Sequence, residues 1–183
     1  MIRKLNGALG ALIIALLLIH MIGGAFQLTG LMPGGSQTLK VITWATLALI
    51  GLHAVLSVWL TLPGLRSRPR YFRVNALYWT RRLTGLALVI LLAAHTFIFM
   101  GESGESFRLR LFEGPQLAGQ LLMVLCAAVH ILANLDPLRI GFGVTGKKAF
   151  ARDALAILGI VLLFCAAAFV VYYFRWNISW KKI

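Results

Sequence analysis

Acidic residues are scarce in this chain. Five Asp and Glu stand against 18 Lys and Arg in 183 residues. The charged class as a whole is only 13%, about half the share of an ordinary soluble domain. So little charge argues against a soluble globular domain, and so much hydrophobicity excludes a disordered chain. Cysteine is nearly absent too: Cys126 and Cys165 each sit alone in an apolar run, with no CxxC and no CxxCH. That excludes a thiolate metal site and covalently attached haem, and leaves two buried spectator thiols as the expectation. No internal sequence repeat and no low-complexity segment stands out. What the chain does have is apolar surface: 60% of residues are hydrophobic and the mean hydropathy is +0.87. A net charge of +13 suggests nucleic acid in a polar protein. Here the basic residues flank long apolar runs, so they are read as membrane topology signals, and no nucleic-acid partner is expected.

About 20 apolar residues cross a bilayer as a helix. Five such segments are expected, at 6–28, 39–62, 82–101, 115–135 and 152–174. Pro63-Gly64 is read as the stop of the second; Pro115 as a start and Asp136-Pro137 as a stop mark the fourth. The first run follows Arg3-Lys4; it is too long for a signal peptide and lacks a clear cleavage site, so it is expected to be retained. The spans take most of the chain, so residues 1–183 are read as a single all-α transmembrane domain with no room for a soluble catalytic domain. The loops alternate in charge. The N-terminus and the second-to-third and fourth-to-fifth connections hold 12 basic residues, and the other side holds six, together with Glu102, Glu105 and Glu113. The positive-inside rule puts the N-terminus in the cytoplasm and the C-terminus outside.

The histidines carry the chemistry. His20, His53, His95 and His130 are the only four, and each of the first four spans has one. A single intramembrane histidine is ordinarily a hydrogen-bonding partner for a neighbouring helix. Four placed one per span point instead to a centre that takes neutral imidazoles in an apolar place. Haem iron with two axial histidines fits, because the porphyrin is itself large and apolar. Zinc fits poorly without Cys or carboxylate ligands in the spans, and a proton relay without intramembrane Asp or Glu. Depth suggests the pairing. On the helix rise His20 and His95 come out at about 20 Å from the cytoplasmic ends of their spans, His53 at about 14 Å and His130 at about 8 Å. The expectation is an outer haem on His20 and His95 and an inner haem on His53 and His130, about 10 Å apart in depth. Gly23, Gly24 and Gly51 lie near the histidines, where they suit either a flat macrocycle or ordinary helix packing. Arg81 and Arg82 are candidate propionate partners for the inner haem; Lys40, Arg108 and Arg110 for the outer one.

The stretch Tyr78-Trp79-Thr80-Arg81-Arg82-Leu83-Thr84-Gly85, leading into His95, resembles the Arg-x-Thr/Ser-Gly signature of cytochrome b membrane anchors of succinate:quinone oxidoreductases. The similarity is to the single-subunit, five-helix, dihaem type that works with menaquinone, in which four helices each give one ligand in crossed pairs. The resemblance implies haem b on His53/His130 (proximal) and on His20/His95 (distal). It also implies a flavoprotein and an iron–sulfur subunit on the basic cytoplasmic face, and a place in the cytoplasmic (inner) membrane. Such a chain carries electrons between the iron–sulfur subunit and quinone; it does no dicarboxylate chemistry itself. Helices 2 and 4 lack the interior glutamates that some dihaem fumarate reductases use for proton transfer. Trp44, Gln37 and Trp79 are candidate quinone contacts, with interfacial anchoring the plainer role of both tryptophans. The rival expectations are the cytochrome b anchor of a hydrogenase or formate dehydrogenase, and a haem-free scaffold or small transporter.

Overall fold

The computed structural model describes residues 2–67, 76–100, 108, 109, 111–143 and 148–180. It is an all-α bundle of five helices, each long and apolar enough to cross a membrane. They are α1 (Ile2–Thr29), α2 (Gln37–Ser67), α3 (Ala76–Phe99), α4 (Gly114–Gly141) and α5 (Lys148–Arg175). A single π-helical turn, Trp176–Trp180, prolongs α5. The chain starts at what is called here the near end, so α1, α3 and α5 run towards the far end and α2 and α4 return. Much of the arginine-bearing second connection (68–75), Glu102, Glu105, Arg110 and Lys147 lie outside the described residues.

The helices overrun their apolar spans, as Tyr78 and Trp79 in the first turn of α3 illustrate. Hydrogen-bonded backbone is favoured to the edge of the hydrocarbon and beyond, where amphipathic rings sit well. Two expected stops do not hold. α2 continues through Pro63-Gly64 to Ser67, and α4 through Asp136-Pro137 to Gly141. The second case has a clear reason. Pro137 has no N–H to give to the carbonyl of Ala133 one turn earlier. Arg81 of α3 replaces it: its Nε donates to Ala133 O at 2.8 Å. Asp136 and Arg139, 3.1 Å apart, then form an ion pair along the same turn. The start of α4 follows expectation, with Glu113 and Gln116 in a reciprocal capping box and Pro115 in the first turn.

Close packing follows the hairpins. α2 packs on α1, α4 on α3, and α5 seals the bundle against α1 and α4. Neither α1 with α3 nor α2 with α4 is among the closely packed pairs. The tight core lies at the far end: Ala25 and Leu28 of α1 meet Phe169, Tyr172 and Trp176 around Leu109 and Phe112. Phe112 is wholly buried there, and the Leu109 amide donates to Tyr172 Oη at 2.9 Å. α1 ends beneath it on Gly30 at φ +78°, where a Cβ would stand 2.6 Å from the Arg175 guanidinium. That guanidinium donates to Leu28 O at 3.0 Å, one of the carbonyls the helix end leaves open. By contrast, α3 contributes no buried residue.

Candidate functional site: two histidine levels

The helices bring the histidines to two levels. At the far level, His20 of α1 and His95 of α3 face each other with ring centroids 6.2 Å apart and planes at 81°. At the near level, His53 of α2 lies against Gly10 of α1 and His130 of α4 against Gly85 of α3. All four are half-buried.

The far pair is held from the returning helices. His20 Nδ1 meets Thr43 Oγ1 at 2.9 Å, and that hydroxyl already donates to Leu39 O at 2.8 Å. Thr43 must therefore accept, which assigns the imidazole proton to Nδ1. His95 Nδ1 donates to Gln120 Oε1 at 2.6 Å. Phe99 lies 4.5 Å from the His95 ring centre and Phe169 6.5 Å, edge-on. At the near level His130 Nδ1 meets Thr84 Oγ1 at 3.0 Å, and the Thr84 hydroxyl donates to Thr80 O at 2.6 Å. The His130 proton is again on Nδ1. His53 differs: its Nδ1 is buried with no hydrogen-bond partner among the described residues, although the Asn6 backbone lies nearby. Three of the four rings thus commit Nδ1 and leave Nε2 as their lone-pair nitrogen.

The near histidines rest on glycines. A Cβ on Gly85 would stand 3.2 Å from His130 Cε1, and one on Gly10 would stand 3.7 Å from His53 Cε1. Gly10 and His20 are ten residues apart on α1, and so are Gly85 and His95 on α3. Thr43 and His53 on α2, and Gln120 and His130 on α4, share that spacing. α1 and α3 each give a histidine to the far level and a glycine to the near one. Each even helix gives a hydrogen-bonding side chain to the far level and a histidine to the near one. The two hairpins carry one pattern twice, invisible as residue identity because Thr43 and Gln120 share only the ability to accept a hydrogen bond. Ten residues of helix rise about 15 Å, more than the offset of about 10 Å expected from the spans.

The donor set suits haem iron. Two imidazoles on opposite sides of one metal ion, at about 2 Å per bond, have ring centres about 6.4 Å apart. The far pair stands at 6.2 Å with both Nδ1 atoms engaged elsewhere, the usual arrangement for metal-bound histidine. Among the described residues no cluster of three or more His, Cys, Asp or Glu is gathered for a bare metal ion. Comparison with family models, curated proteins and solved structures finds no match.

The remaining candidate residues fall out as follows. Arg81 has its Nε spent on Ala133 O. Arg82 lies with its guanidinium over the Tyr78 ring at 4.9 Å, and its buried Nε has no hydrogen-bond partner among the described residues. Arg108 sits 5.7 Å from the Trp176 ring at the far end, and Lys40 is exposed on α2. Gly23 is a packing glycine, since a Cβ there would stand 2.8 Å from Leu39 of α2. Around Gly24 and Gly51 nothing comes within 4 Å of such an atom. Trp44 and Gln37 are exposed, and Trp79 is half-buried with its ring 5.6 Å from that of Tyr78. Cys165 is buried, its thiol donating to Met21 O at 3.5 Å, and Cys126 is half-buried. Thr43, Gly10 and Gln120 are the residues that reading by motif missed; the ten-residue spacing was the signal for them.

Proposed function

We propose that this chain is a dihaem cytochrome b, the membrane anchor of a succinate dehydrogenase or fumarate reductase in the cytoplasmic membrane. The observation that carries the reading is the far pair: two half-buried imidazoles 6.2 Å apart between helices, each engaged through Nδ1. His20 and His95 would hold one haem b, and His53 and His130 the other. Bound there, haem supplies a one-electron carrier at each level.

The protein's own groups orient and enclose. Thr43, Gln120 and Thr84 fix the ring orientation of three ligands and increase their basicity by accepting hydrogen bonds from their Nδ1–H groups. Gly85 clears room beside His130, while Gly10 lies at ordinary contact distance from His53. Arg82, whose buried Nε has no hydrogen-bond partner among the described residues, is the better candidate for a propionate, since the Nε of Arg81 is taken by α4. The 15 Å offset between levels, by helix rise, would carry electrons along the membrane normal. The near end, with Arg81, Arg82, Arg139 and Arg152, would face the cytoplasm and dock an iron–sulfur subunit with its flavoprotein; quinone, menaquinone by the resemblance, would bind near a membrane surface.

A pyridine haemochrome assay on the purified chain tests this. Two haems b per chain, low-spin in both oxidation states, are expected; a colourless protein refutes it. Mild-detergent purification from the native membrane should bring down a flavoprotein and an iron–sulfur protein. A nickel or molybdenum subunit in their place would move the anchor to a hydrogenase or formate dehydrogenase.

A further inference from the structure

Gln120 is 2% exposed on a helix that crosses the membrane. A buried amide there is costly unless it makes a bond that needs it. Thr43 has an ordinary alternative, because a threonine in a helix can bond its own preceding turn, and Thr43 does so to Leu39. Gln120 shows no such local bond: its Oε1 bond runs across to α3, to His95 Nδ1. The aromatic contacts of His95 fix the plane of its ring, with Phe99 tilted 30° over it and Phe169 edge-on. They do not fix which ring nitrogen carries the proton. An acceptor at 2.6 Å from Nδ1 does.

We infer that Gln120 is a positioning residue for His95, holding it in the Nδ1–H tautomer so that Nε2 is its metal-binding nitrogen. The haem part rests on the proposed function; the tautomer part does not. The rival role for a buried glutamine is glue between helices, here α3 and α4, which would affect stability alone.

Two readouts on the full chain in lipid bilayers decide it. With 15N-labelled histidine, the His95 signal is assigned by its loss in His95→Ala. Wild type should show a strongly hydrogen-bonded Nδ1–H at His95. Gln120→Leu should weaken that signal's hydrogen-bond shift, and Gln120→Glu should restore or strengthen it, with the His130 signal unmoved. In the haem-loaded chain, Gln120→Leu should weaken haem binding at the far level about 10- to 100-fold. It should also change that haem's electron paramagnetic resonance signal, while the near-level signal stays. An Nδ1–H signal unmoved in Gln120→Leu, or a proton found on Nε2 in haem-free chain, overturns the inference. Equal destabilisation by Leu and Glu with no spectral change makes Gln120 glue and overturns it as well. A wild type without haem refutes the proposed function, and the 15N readout still decides the role of Gln120.

Discussion

Arg81→Met is the substitution whose cost the structure defines most closely. Pro137 leaves the Ala133 carbonyl without its intrahelical donor, and Arg81 Nε fills the vacancy at 2.8 Å. Ala133 is 9% exposed, so water is a poor substitute. A hydrogen bond from a charged group contributes about 1.5–3 kcal/mol, and a buried acceptor left bare costs about as much. Arg81→Met should therefore destabilise the bundle by about 2 kcal/mol. Pro137→Ala supplies the missing N–H, so the carbonyl keeps a partner when Arg81 is lost. In that background Arg81→Met should cost about half as much, a coupling of about 1 kcal/mol in the double-mutant cycle. Reversible unfolding in mixed micelles, followed by far-ultraviolet circular dichroism, measures all four corners. Strict additivity would show that Arg81 does not serve the carbonyl that Pro137 frees.

Substitution of single ligands should sort into two classes: His20→Ala and His95→Ala lose the far haem, His53→Ala and His130→Ala the near one. Low-temperature spectra of the four variants check this, and a grouping of His20 with His53 would refute the pairing. Gly85→Ala should disturb the near haem, because its Cβ would press on His130 at 3.2 Å while Thr84 holds the ring. Gly10→Ala meets only an ordinary 3.7 Å contact and should leave the spectrum unchanged while stabilising α1 by up to about 1 kcal/mol. In a chain lacking Cys126 and Cys165, cysteine introduced at position 104 should be labelled from outside intact cells and one at position 68 should not. The opposite pattern would invert the topology.

Hydrophobic runs and histidine placement made the five helices and the four candidate ligands legible in the sequence, because both depend on residue type and on a period of chain rise. Helix ends were less legible. Pro63 and Pro137 read as stops because proline removes a local donor, and a sequence does not show that a side chain 52 positions away can replace it, as Arg81 does for Ala133. Arg81 was attractive as an anion partner for the same reason: its charge is visible, its engagement is not. Gln120 and Thr43 were missed because acceptors for a ring N–H have no composition signature. They emerge only once α2 and α4 are laid beside the histidines of α1 and α3. Gly23 and Gly85 show the limit for small residues, since one lies against Leu39 and the other against His130, and nothing in either local sequence distinguishes them.

Each histidine level draws on both hairpins: the far one on α1 and α3, the near one on α2 and α4. That has a consequence for biogenesis. The first hairpin enters the membrane with one histidine for each level and no mate for either. The far pair closes when α3 arrives, one helix before the near pair, which waits for α4. A chain truncated after α2 holds half of both sites and the whole of neither. A ligand that required two imidazoles would find both far histidines in place one helix before both near ones. Among the described residues the two hairpins meet closely along α1 and α4 and through α5.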